Sequence, residues 1–132
     1  MTHPNEDLVR EAYAAFGRGD MDALRKQYFT DDVRYHVAGR SPLAGDYEGT
    51  EQVLQFFARV FEVTGGTFSF ELHDVLANDE HAVALVSTRA ERAGKQLTDN
   101  LVQISHLRDG KASVASVEPV TANATPPWQV SN

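Results

Sequence analysis

The chain is 132 residues long, 42% hydrophobic and 23% charged, the size and balance of one globular domain, read here as 1–132. A net charge of −7 argues against nucleic acid and anionic membranes as partners, and the absence of cysteine removes disulfides, thiolate metal ligands and a cysteine nucleophile. No apolar run approaches the roughly 20 residues that span a bilayer, and the polar, acidic start does not resemble a signal peptide, so the expected location is cytoplasmic.

Residues Glu6 to Phe16 carry a helical period, with Leu8, Ala12 and Ala15 on one side and Val9, Tyr13 and Phe16 beside them. Asn5 is the expected N-cap, and Gly17 and Gly19 are the expected stop. Asp20 then caps a shorter helix carrying Met21, Leu24 and Tyr28 to about Phe29. Thr30-Asp31-Asp32 ends it and opens a strand in which Val33, Tyr35 and Val37 alternate with Arg34 and His36. Residues 38–49, punctuated by glycine and proline, read as a loop, and Thr50 as the N-cap of a third helix presenting Val53, Phe56, Phe57, Val60 and Phe61.

After Gly65-Gly66 the period changes to two. Phe68, Phe70 and Leu72 alternate with polar residues, and three further strands follow over Ala82 to Ala90, Leu97 to Leu107 and Ala112 to Val117, the last two joined by Arg108-Asp109-Gly110. Helices first and an antiparallel meander afterwards define an α+β fold. The core covers about residues 6–118, and residues 119–132, rich in Thr, Ala, Asn and Pro, form a loose tail with Trp128 as its one docking side chain.

This order resembles the nuclear transport factor two-like superfamily. Gly19-Asp20-Met21-Asp22-Ala23-Leu24 followed by Phe29-Thr30-Asp31-Asp32-Val33 is similar to that group's opening signature. Tyr35-His36-Val37-Ala38-Gly39-Arg40-Ser41-Pro42-Leu43-Ala44-Gly45-Asp46-Tyr47-Glu48-Gly49 resembles a run in SnoaL-like, ketosteroid isomerase-related proteins. The resemblance implies a cystatin-like, cone-shaped roll, with three N-terminal helices on a strongly bent, mostly antiparallel sheet around an apolar pocket. It also implies pairing of two copies through the outer sheet face, where Val83, Leu85, Val102 and Ile104 offer apolar surface.

Within such a pocket, His36 is the first candidate for a general base, expected on the cavity side of its strand opposite Val33, Tyr35 and Val37. The alternative is a hydrogen-bonded histidine without chemistry. Asp99, with Leu97 and Leu101 at i±2, is expected on the same face as those leucines, as a protonated donor or else as a solvated aspartate at the strand rim. Tyr13 and Tyr28 are candidate phenolic donors, or core tyrosines with satisfied hydroxyls. Ligand contacts are expected from Phe16, Tyr28, Phe57, Phe61, Leu72, Leu101 and Trp128.

The isomerase machinery does not transfer intact. Its helical tyrosine falls at Ala12, one position from Tyr13, its base near His36 or Val37, and its late aspartate near Val102 or Gln103. The SnoaL-like Asp109-Gly110-Lys111 is present, yet only Glu118 is titratable in the strand that follows. No histidine spacing indicates a metal, no glycine-rich turn indicates a phosphate cradle, and no cofactor is expected. The expected function is binding of a small, flat, apolar molecule, with isomerase-, cyclase- or hydratase-type proton transfer. The alternative is a non-catalytic ligand-binding or dimeric accessory protein.

Overall fold

The structure, a computed structural model, describes residues 3–38, 43–92 and 94–119. Helix α1 spans Pro4–Arg18 and buries Val9, Ala12 and Ala15. Its cap is His3 and not Asn5: the His3 ring Nδ1 accepts the Asn5 N–H at 3.0 Å, and Glu6 reaches back to the His3 N–H at 3.1 Å. Pro4, with φ already fixed in the helical range, suits the first helical position, which puts the cap at His3, two residues upstream of Asn5. Gly19 closes the helix at φ 74, donating to the carbonyls of Ala15 and Phe16.

Asp20 caps the next helix as expected, accepting the Ala23 N–H at 3.1 Å. Helix α2 is only Met21–Ala23 and runs into a π-helical turn over Leu24–Tyr28. Strand β1, Phe29–Val37, starts earlier than the alternation implied. The expected loop over 38–49 contains a short strand, β2 at Gly45–Glu48, which pairs antiparallel with β1. Helix α3 spans Thr50–Val63 with Gly49 at its cap, while the buried Thr50 hydroxyl donates to the Thr30 carbonyl at 2.9 Å. Strands β3 (Ser69–Ala77), β4 (His81–Arg92), β5 (Lys95–Arg108) and β6 (Lys111–Pro119) form the meander.

The six strands make one curved sheet in the order β2-β1-β6-β5-β4-β3, parallel only between β1 and β6. Register shifts interrupt the pairing at Phe29/Arg34, Leu72/Asp74 and His106/Leu107, and such bulges increase local twist and bend a sheet. Helix α1 lies against β3 and β4, and α3 against β1 and β2, so the helices cover the two ends of one face. Ala82, Ala84, Ser105 and Ala115 are all buried on that inner face. The bent sheet leaves space between the helices. The α+β architecture matches the reading from sequence.

Candidate functional site

The space is a cavity of about 860 Å³. Leu24 and Tyr28 reach it from the π turn, in which the Phe29 N–H bonds the Leu24 carbonyl. Single π turns occur disproportionately at functional sites. Phe16, from α1, packs in the wall against Phe57 at 5.0 Å and Phe70 at 5.5 Å between ring centroids. Tyr35 and Val37 line the cavity from β1, Phe56 and Phe57 from α3, and Val86 from β4.

Polar groups gather at the buried end. The Tyr13 hydroxyl donates to Gln103 Oε1, and Gln103 Nε2 donates to the Tyr35 hydroxyl at 3.1 Å. Tyr28 is hydrogen-bonded with Ser105, two residues further along β5. Gln103 is 7% exposed and Tyr35 5%, so these polar atoms are shielded from bulk water. Burial raises the Tyr13 hydroxyl well above its ordinary pKa, with Tyr35 and then Tyr28 adding to the effect. Burial also raises Tyr28, against the opposing Ser105 bond, and raises Tyr35, where Tyr28 adds a smaller push. The three phenols are therefore neutral donors at neutral pH.

An amide accepts through its oxygen and donates through its nitrogen. Placed between two tyrosines, it accepts one hydroxyl proton and leaves the other. In the assigned orientation the proton left over is that of Tyr35, and no described residue accepts it. Turning the amide over would free the proton of Tyr13 instead. Either way, one phenolic donor remains at the cavity floor.

The structure brings Tyr13, Phe16, Tyr28, Phe57, Asp99 and Leu101 to this cavity. It does not bring His36. That side chain is 50% exposed on the opposite sheet face, with Nδ1 2.5 Å from Asp46 Oδ1. The β1 alternation holds with its sides opposite to the expectation: the cavity continues the apolar core, so Tyr35 and Val37 line it and His36 faces away. Asp99 is exposed and accepts the Asn100 N–H at 2.9 Å, the geometry of an aspartate at the rim and not of an acid held in apolar surroundings.

Phe61 and Leu72 stand behind the wall. The Phe61 ring packs on Phe16 at 5.3 Å and Phe68 at 5.7 Å, and Leu72 pairs across strands with Val86. Trp128 lies outside the described residues. Gln103 and Tyr35 were not singled out, although Gln103 shares strand parity with Asp99 and Leu101, and that parity was the available signal. Among the described residues, no group of three or more His, Asp or Glu side chains is placed to hold a metal. His106 meets His81 across strands, at 4.7 Å between ring centroids.

A family model described as a SnoaL-like domain matches residues 9–115. An uncharacterized protein of Mycobacterium tuberculosis is 41% identical over 92 residues, 69% of this chain and 70% of its own. Among solved structures, Bal32a from a soil-derived mobile gene cassette superposes with a TM-score of 0.83 at 33% identity, covering 88% of each chain. TerC, co-crystallized with polyporic acid, gives a TM-score of 0.77 at 22% identity, covering 89% of this chain and 92% of its own. A putative SnoaL-like polyketide cyclase from Jannaschia sp. gives 0.71 at 17% identity, covering 90% of each. The last two likenesses are of fold.

Proposed function

The chain belongs to the SnoaL-like domain family, and we propose that its cavity binds one flat, mainly apolar organic molecule whose oxygen atom accepts a hydrogen bond at the buried end. The observation that carries this reading is the Tyr13–Gln103–Tyr35 cluster, which leaves one phenolic proton without an acceptor among the described residues in a mainly apolar cavity. A volume of about 860 Å³ falls within the roughly 300–1,000 Å³ usual for small-molecule sites. The co-crystallization of TerC, a protein of the same fold, with an organic acid gives the reading indirect support.

The test compares 2-acetylnaphthalene with 2-isopropylnaphthalene by isothermal titration. One net hydrogen bond is worth about 0.5–1.5 kcal/mol, so the ketone is expected to bind roughly 2- to 13-fold more tightly. Tyr35→Phe removes the proton left over in the assigned orientation of the amide and reduces the difference. Equal binding of ketone and hydrocarbon, or no binding of either, would overturn the proposal.

A catalytic form of the same reading rests on Asp99, the one carboxylate among the described residues that line the cavity. There the phenolic donor polarizes a carbonyl, and Asp99 accepts a proton from carbon further along the conjugated system. Isomerase- and cyclase-type steps have this form. Asp99→Asn then abolishes turnover of a conjugated ketone while leaving its binding; turnover unchanged by that substitution would refute the catalytic form.

We also propose that two copies pair through the outer sheet face. Leu76 is 54% exposed there, Ile104 39% and Val114 38%, and Val83 and Leu85 are the cross-strand partners of Ile104 and Val102. A contiguous apolar face of this kind marks an association surface. Light scattering at micromolar concentration is expected to give a dimer that Ile104→Glu dissociates; a monomeric parent protein would end this proposal.

A further inference from the structure

The polar groups of the cavity lie at two ends. Gln103 is buried at the floor and Asp99 is exposed at the mouth, with Leu101 between them on the same face of β5. Four residues along a strand separate the Cα positions by about 13 Å. Thr88, the cross-strand partner of Asp99, adds a hydroxyl at the mouth, and Thr98 lines the cavity there as well. Val86 pairs with Leu101 and keeps the middle apolar.

The charges are equally uneven. Among the described residues lining the cavity, Asp99 is the one carboxylate, and the phenols of Tyr13, Tyr28 and Tyr35 stay neutral. Among the described residues, no Lys, Arg or His lines the cavity. The chain as a whole carries −7, so an approaching anion meets repulsion first from the molecule and then from the mouth.

We propose that Asp99 is a specificity-determining residue that selects, among flat ligands anchored by an oxygen at the floor, those bearing an ammonium or another hydrogen-bond donor at the mouth end. This rests on the cavity being the ligand site proposed above and specifies the chemical class that the site takes. The ligand has two unlike ends, an acceptor inside and a donor or cation outside, spaced by an apolar plate about as long as a fused bicyclic ring.

The decisive experiment uses 2-acetylnaphthalenes carrying aminomethyl, methyl or carboxylate at position 6, titrated calorimetrically into the full chain. Asp99 is solvent-exposed, so the preference is modest: the aminomethyl compound is expected to bind about three- to fivefold more tightly than the methyl compound, and the carboxylate more weakly than either. Raising the salt concentration to about 1 M, where the screening length falls to about 3 Å, compresses the series. Asp99→Asn removes the ammonium preference, and Asp99→Lys reverses the order in favor of the carboxylate.

If all three compounds bind and the order ignores the end group, or survives Asp99→Asn, the charge selection is wrong and the cavity reading stands. If none binds while the protein is folded by circular dichroism, both proposals fall.

Discussion

Between two phenols, the Gln103 amide holds the floor of the cavity together. Gln103→Leu leaves the hydroxyls of Tyr13 and Tyr35 buried without their partner, and each such group costs about 1–3 kcal/mol. Urea denaturation is expected to show a loss of about 2–6 kcal/mol with an unchanged m-value; a neutral substitution would mean the hydroxyls find other partners. His36 behaves oppositely. It is an exposed partner of Asp46, so His36→Ala is expected to cost under about 1 kcal/mol and to leave naphthyl ketone binding within twofold. Tyr13 and Asp99 were legible in the sequence because helical and strand periods put them beside apolar residues. Tyr35 was placed in the core, and for a residue at the seam of core and cavity, periodicity makes no distinction.

The elements end where local chemistry ends them. Gly49 holds φ 84 and ψ 152 at the start of α3, a conformation open essentially to glycine alone. Gly49→Ala is therefore expected to lose about 1–3 kcal/mol in thermal or chemical denaturation, although a Cβ there would meet the Asp31 carbonyl only at 3.7 Å, an ordinary contact. A loss below a few tenths would show that the backbone relaxes. The capping box of α1 makes a parallel case: His3→Ala removes an acceptor for the Asn5 N–H and is expected to cost about 0.5–2 kcal/mol. Helix existence, the Asp20 cap and the Asp109-Gly110 turn were readable from residue types. The π turn and strand β2 were not, because an extra residue in a turn and a four-residue edge strand leave little periodic trace.

Linkage acts on the whole molecule at both ends of the pH scale. Tyr13, Tyr28 and Tyr35 are raised in the folded state, so the stability they confer is complete below the unfolded tyrosine value of about 10 and is lost as pH rises toward the folded values. Stability is expected to be flat through neutrality and to fall above about pH 10, and less steeply in Tyr13→Phe. Asp32 has the opposite sign. The Thr30 hydroxyl, and after it Arg108, hold its carboxyl below the usual range, so its contribution is present above the unfolded aspartate value and is lost as pH falls through the folded one. Arg108→Gln is expected to flatten that acid limb in pH-dependent melting; an unchanged limb would assign it to other carboxylates.

The sequence by itself determined the class of fold and what the chemistry has to work with. Periods of 3.6 and 2 reside in the chain, and so do the absence of cysteine and the excess of acid. Only the tertiary structure decided which face of β1 meets the cavity. A strand pattern tells that two faces differ, but the side left unfilled depends on where α1 and α3 settle and on how far the bulged sheet bends. The same packing turned Gln103 from an ordinary strand residue into the amide between two buried tyrosines, and left Asp99 at the mouth.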